Sequence, residues 1–202
     1  MTKKIVIILS LFLHTIVGIT QASQTVFLEE EFSKPNLTAE NVSAFEFRAK
    51  QKIYDFYNYV ELISNKEYDE KLREYSMQSA VSLFNSSECL IEDSLVNGSV
   101  DQLVISGFFD SLFVSEFYKI SAEVIELSLS NRLIKIGEEV YSGTISYTRI
   151  LKCYDEFSQL SYSSEEKKSV DVTLTRKSKA FGEKNKYIWV VSLCDVKNDT
   201  GE

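Results

Sequence analysis

Acid–base chemistry in this chain falls to tyrosines and carboxylates, because its only histidine, His14, lies in an N-terminal stretch built like a leader. Lys3 and Lys4 precede an apolar run from Ile5 to Ile19, and Thr20-Gln21-Ala22 then offers a small-x-small cleavage site. That is the layout of a secretory signal peptide, and the run is short for a membrane span. A mature chain starting near Ser23 carries no imidazole. It cannot assemble a Ser-His-Asp triad, a Cys-His pair or a histidine-ligated metal site. What remains are phenol donors such as Tyr54 and Tyr57, and acids placed on or beside ordered elements, Asp110, Asp171 and Asp195. The acidic runs Glu29-Glu30-Glu31, Glu138-Glu139 and Glu165-Glu166 lack calcium-loop spacing, and the glycines form no phosphate loop, so neither metal nor cofactor is expected. Cys89, Cys153 and Cys194 show no CxxC spacing, and no cysteine follows the apolar run where a lipidated residue would sit. An exported chain could oxidise one pair and leave one thiol over; alternatively all three are small buried side chains.

Charge narrows the partners. The sequence holds 22 basic and 30 acidic residues, a net of −8. Losing Lys3 and Lys4 with the leader leaves 20 against 30, or −10. Phosphate backbones and anionic lipid repel such a chain, so no nucleic-acid partner is expected. The best basic run, Thr175 to Lys179, reads as the solvated end of a strand. Asn-x-Ser/Thr sequons at Asn36, Asn41, Asn85, Asn97 and Asn198 matter only in a eukaryotic secretory route, whereas the Lys-Lys start and compact apolar core look bacterial. The expected location is exported, periplasmic or secreted, with no membrane span after cleavage.

These residues must be positioned by the elements that the patterning predicts. Residues 1–22 form the signal peptide, 23–38 a lead-in with Pro35, 39–197 one domain and 198–202 a tail. About 180 residues after cleavage suffice for a full core. Val42, Phe45, Ala49, Ile53, Phe56, Val60 and Ile63 draw one apolar stripe down a six-turn helix, with Thr38 or Asn41 as cap and Ser64-Asn65 as stop. A second helix is expected from Glu67 to Ser76, and a short hairpin from Ala80–Phe84 and Cys89–Ile91. Asn97-Gly98 marks a turn, after which Ser99 caps a short third helix that ends near Phe109, with Val100, Leu103, Val104 and Phe108 at helical spacing. Strands follow over Phe117–Leu129, Glu139–Cys153, Val170–Leu174 and Tyr187–Val196. The first changes phase near Val124, which suggests a bulge. A long polar loop is expected from Tyr154 to Glu166, and a hairpin loop over Phe181–Lys186. The last strand is apolar on both faces, so both faces need cover.

Two helices, a hairpin, a third helix and long meandering strands, closing on Tyr187-Ile188-Trp189-Val190-Val191-Ser192-Leu193-Cys194-Asp195-Val196, resemble the nuclear transport factor 2-like superfamily over roughly residues 40 to 197. The resemblance implies an α+β fold whose N-terminal helices pack in the concave face of a curved, mainly antiparallel sheet, a cone-shaped barrel. It also implies a pocket, with Tyr54, Tyr57, Tyr75, Phe108, Tyr118 and Trp189 as lining candidates. Dehydratases of this fold use histidine, which the mature chain lacks. The isomerase-type site uses a carboxylate base beside a Tyr and a protonated Asp; none of the strand acids can be matched to it. The expected function is therefore a non-catalytic exported module binding a small apolar ligand or an envelope protein. A homodimer is expected through the sheet, with Ile188 and Val190 on its face. The alternative is an isomerase or lyase on a hydrophobic substrate.

Overall fold

A computed structural model describes residues 34–199 apart from Ser94, residues 96–100 and Glu183. The signal peptide, the lead-in up to residue 33, the Asn97-Gly98 turn and the Ser99 cap lie outside the described residues. Helix α1 spans Ala39–Ser64. Thr38 starts it by accepting the Asn41 amide at 3.2 Å, which satisfies one of the donors a first turn leaves open. The stripe that defines it is the face it buries: Phe45, Ala49, Ile53, Phe56, Val60 and Ile63 all lie in the core. Helix α2 spans Glu70–Val81, not Glu67–Ser76, because Asp69 is the residue that caps it, taking the Leu72 amide at 3.0 Å. Helix α3 spans Ile105–Phe113.

Six strands form one open sheet in the order β2-β1-β6-β5-β4-β3. Strands β3 (Lys119–Gly137), β4 (Val140–Tyr154), β5 (Leu160–Phe181) and β6 (Lys184–Asn198) make an antiparallel meander. The small hairpin β1 (Leu90–Asp93) and β2 (Asp101–Val104) meets it through a single parallel pair, Ile91 with Val196. The expected α+β architecture is thus present, with helices on one face of a curved, mostly antiparallel sheet that does not close into a barrel.

Three expectations at this level are corrected. Ala80 and Val81 end α2 and do not start a strand; the hairpin is instead built by Leu90–Asp93 and Asp101–Val104, where Leu103 and Val104 trade helical spacing for strand pairing. The polar stretch 154–166 is mostly strand: only residues 155–159 turn, and Leu160 onward pairs with β4. Ser161–Glu166 hide that strand because alternate positions are polar on an exposed sheet end. Strand β3 runs to Gly137, well past Leu129, as an edge strand with little apolar cover.

The bulge lies where the phase change falls. Register slips between Ile125 and Ser128, and Glu126 takes a left-handed φ of 55°. Its carboxylate accepts the Thr148 hydroxyl at 3.0 Å, which ties the strained residue to β4. A second slip follows beside Gly143, where a Cβ would stand 2.9 Å from the Asn131 carbonyl oxygen. Glycine lets β3 approach there and the sheet bend over α1. Gly143→Ala is expected to lower stability by about 1–3 kcal/mol in urea titration; an unchanged midpoint would show that β3 shifts at no cost.

Candidate functional site

Strand alternation sends one row of β4 and β5 toward the helices. On β4 that row is Tyr141, Ile145, Tyr147, Arg149, Leu151 and Cys153, all buried. On β5 it includes Glu166, Lys168, Val170, Val172 and Leu174. The row therefore carries charges into the core. Arg149 and Lys168 are 1% and 0% exposed, and the hairpin supplies Asp93, at 3%, from the other side.

Four charged groups compensate one another. Arg149 Nη1 donates to Asp93 Oδ2, and Arg149 Nη2 lies 2.9 Å from Glu166 Oε2. Lys168 Nζ stands 2.7 Å from the same Glu166 oxygen and 3.7 Å from Asp93. Its remaining hydrogens go to the Glu92 carbonyl at 2.7 Å and to Asn198 Oδ1. The Leu95 amide donates to the other Asp93 oxygen at 2.9 Å. Two positive and two negative groups share one site, three of them almost fully buried and Glu166 partly open to water, and such pairing is the condition under which buried charge is tolerated. Burial opposes the charge on Arg149, but Tyr57, Asp93 and Glu166 outweigh it and hold the guanidinium above its ordinary value. Burial lowers Lys168, with Asp93 and Glu166 pulling the other way.

Two phenols complete the cluster. Tyr57 of α1 and Tyr147 of β4 share a hydrogen bond of 3.0 Å between their hydroxyls, with rings edge-on at 5.9 Å. Burial pushes Tyr57 up to about 12 and Tyr147 well above its ordinary value, and Asp93 adds to both effects. Both remain neutral donors at any physiological pH. Beside them the space between α1, α3 and the sheet is filled by rings. Phe56 lies 4.7 Å from Tyr57, 5.5 Å from Phe84 and 5.9 Å from Phe109.

The sequence-based candidates are distributed unevenly. Tyr57 belongs to the cluster, and Phe108 is buried beside it, 6.3 Å from Phe56. Trp189 is buried near the far end of β6, its indole N–H donating to the Lys34 carbonyl at 3.0 Å. Tyr118 is half-buried before β3, while Tyr54 and Tyr75 are exposed on their helices. Ile188 and Val190 are half-buried. Asp110 is exposed, Asp171 pairs with Lys197 at 3.0 Å, and Asp195 accepts the Leu90 amide at 2.9 Å. None of these three acids joins the cluster. An open cleft of about 310 Å³ lies elsewhere, lined by Asn58, Glu61, Leu62, Asn65, Tyr68 and Lys119; its Glu61 already accepts Ser121 Oγ and the Ala122 amide. Among the described residues, no group of three His, Cys, Asp or Glu side chains could hold a metal ion.

Sequence reasoning missed Asp93, Arg149, Glu166 and Lys168. A signal existed for two of them. Arg149 has the parity of Tyr147 and Leu151, and Lys168 that of Val170 and Val172, so each is a charge at an inward position.

No family model matches the chain, and no curated protein does. Solved structures do. A candidate scytalone dehydratase from Novosphingobium aromaticivorans is 7% identical, with a TM-score of 0.42, over 81% of this chain and 93% of that one. A hexachlorocyclohexane dehydrochlorinase (LinA, type 2) is 9% identical, with a TM-score of 0.32, over 76% and 87%. SalBIII, an epoxide hydrolase/cyclase-like enzyme of pyran ring formation in salinomycin, is 13% identical, with a TM-score of 0.30, over 77% and 93%. The likeness is one of fold.

Two measurements probe the cluster. Removing only the cation by Arg149→Met leaves Asp93 buried and is expected to cost about 3–5 kcal/mol. Adding Asp93→Leu to that variant should recover part of the loss in chemical denaturation; no recovery would mean that the pair is not coupled. Alkali tests the phenols. Tyr57 moves from 10.0 to about 12 on folding, so the stability it contributes is full below pH 10 and is lost as pH rises through about 12. Burial moves Cys153 from 9.0 to about 12, with the same sign. Thermal melts should therefore fall progressively above about pH 9, and Tyr57→Phe should flatten the upper part of that fall. An identical slope in the variant would contradict the assignment.

Proposed function

We propose that this protein is an exported, non-catalytic binding or scaffold module that works as a homodimer through the outer face of its sheet. One observation carries the reading. The carboxylates that act electrostatically on the buried tyrosine pair, Asp93 and Glu166, are both ion-paired with Arg149 and Lys168. Neither is an unengaged base beside a phenol donor, as an isomerase or lyase of this kind would need. Space that could hold a hydrophobic substrate next to them is taken by Phe56, Phe108 and Phe109.

With the interior committed to cohesion, the outer sheet face is the surface left for recognition. Its central rows are half-exposed and mostly uncharged, with Ser142, Thr144 and Ser146 on β4, Thr173 and Thr175 on β5, and Ile188 and Val190 on β6, while Asp171 beside Thr144 is neutralised by Lys197. Such a surface gives up little hydration on burial and presents a flat, self-complementary area to a second copy. An envelope protein of similarly low charge is the partner class that this face suits beyond the dimer. The leader-like start supports delivery to the periplasm or medium.

Light scattering on the eluting protein should give the mass of two chains, and Val190→Lys should give one chain or insoluble protein. A monomeric parent would overturn the dimer. When the full chain is produced in a bacterium, it should be recovered outside the cytoplasm with its N-terminus near Ser23; an unprocessed cytoplasmic product would overturn export.

A further inference from the structure

The junction between the hairpin and the main sheet brings two of the three cysteines together. Ile91 pairs with Val196 in parallel, an offset of 105 residues, and the Leu90 amide reaches the Asp195 carboxylate at 2.9 Å with the same offset. Cys89 and Cys194 are the residues immediately before this contacting pair, and both are free thiols. Cys89 is fixed from one side, where its carbonyl accepts the Ile105 amide at 2.8 Å. From the other it follows Asn85–Glu88, an exposed turn that can yield by small backbone shifts. Cys194 is half-buried and shares a 3.6 Å contact with the Thr173 hydroxyl. Burial raises the Cys194 thiol, the Thr173 contact opposes this, and nearby Cys89 adds to the rise. Cys153 is elsewhere, buried on β4 between Ile120 of β3 and Tyr162 of β5.

We infer that Cys89 and Cys194 are a disulfide-forming pair whose oxidation staples the β1–β2 hairpin to β6, while Cys153 stays a buried thiol. The chemistry is thiol–disulfide exchange. A small-molecule or enzyme disulfide is attacked by one thiolate, giving a mixed disulfide and releasing one thiol. The second cysteine then displaces the other thiol, so that two S–H bonds and one S–S bond become one new S–S bond and two free thiols. Cys194, the more exposed of the two, makes the first attack on the external disulfide, and Cys89 then displaces the bound thiol to resolve it. Closing a loop of this length constrains the unfolded chain strongly, and it does so where the ladder is weakest, at a single residue pair. The inference draws on the proposed export only for its setting, since an oxidising compartment is where such a bond persists.

The test uses the full chain with oxidised glutathione as the disulfide source. A non-reducing digest should show one peptide pair joined through Cys89 and Cys194, together with one alkylatable thiol at Cys153. The oxidised protein should melt roughly 10 °C above the reduced one. Cys194→Ser should abolish both the joined peptides and the shift, while Cys153→Ser should keep both. Three alkylatable thiols after oxidation, or a joined pair containing Cys153, would overturn the inference. Because oxidation is performed in solution, a chain that proves to be cytoplasmic or monomeric would still give a clear answer about the cysteines.

Discussion

Compensation of four charges inside the core is the constraint on which the rest of this structure depends. Arg149 and Lys168 are almost wholly excluded from water, and neither cation is tolerable there alone. Asp93 and Glu166 must therefore approach from two directions, one from the hairpin and one from the neighbouring β5 position. Arg149 and Glu166 are register partners on adjacent strands, as are Tyr147 and Lys168. The meander alone thus supplies three of the four charges and one phenol. The fourth charge, Asp93, arrives only when the hairpin docks, so docking and neutralisation are the same event.

The hairpin needs this because its ladder is short. One residue pair joins β1 to β6, and a single pair gives little guard against slippage. The polar contacts supply the missing register. Asp93 points inward to Arg149, while Glu92, one residue earlier, offers its carbonyl to Lys168 and its carboxylate to the Asn198 amide at 3.0 Å. A slip of one residue would bring Glu92 to the inward side and send Asp93 out, breaking these contacts together. Apolar side chains in the same places would fill the volume but would not distinguish the two registers.

How far the sequence announced this can be read from particular residues. Helix α1 was legible because a single stripe of seven apolar positions is unambiguous, and Thr38 marks its start. The β3 bulge was legible from a phase change, since alternation can shift face only through an extra residue. The third helix was misplaced by several residues because Leu103 and Val104 fit both a helical spacing and a strand. Residues 160–166 were hidden because Ser, Tyr and Glu alternate there on a sheet end that water covers. The charged cluster was the hardest to see. A lysine or arginine in a strand reads as a surface group unless its parity is compared with the apolar residues on either side. Asp93 shares the parity of Ile91 and Leu95, but a strand of four residues is too short for alternation to show.

The same arithmetic of charge bears on chemistry. A general base must be free to take a proton, and its basicity near neutral pH comes from burial that is not fully compensated. In this core both oxygens of Asp93 and Oε2 of Glu166 are engaged, with a guanidinium, an ammonium or a backbone amide. One tyrosine hydroxyl donates to the other, and burial keeps both phenols protonated well above neutral pH. Using Asp93 or Glu166 as a base would require Arg149 or Lys168 to withdraw. Fixing the hairpin and poising a base are therefore competing uses of one set of carboxylates. The observed contacts serve the first.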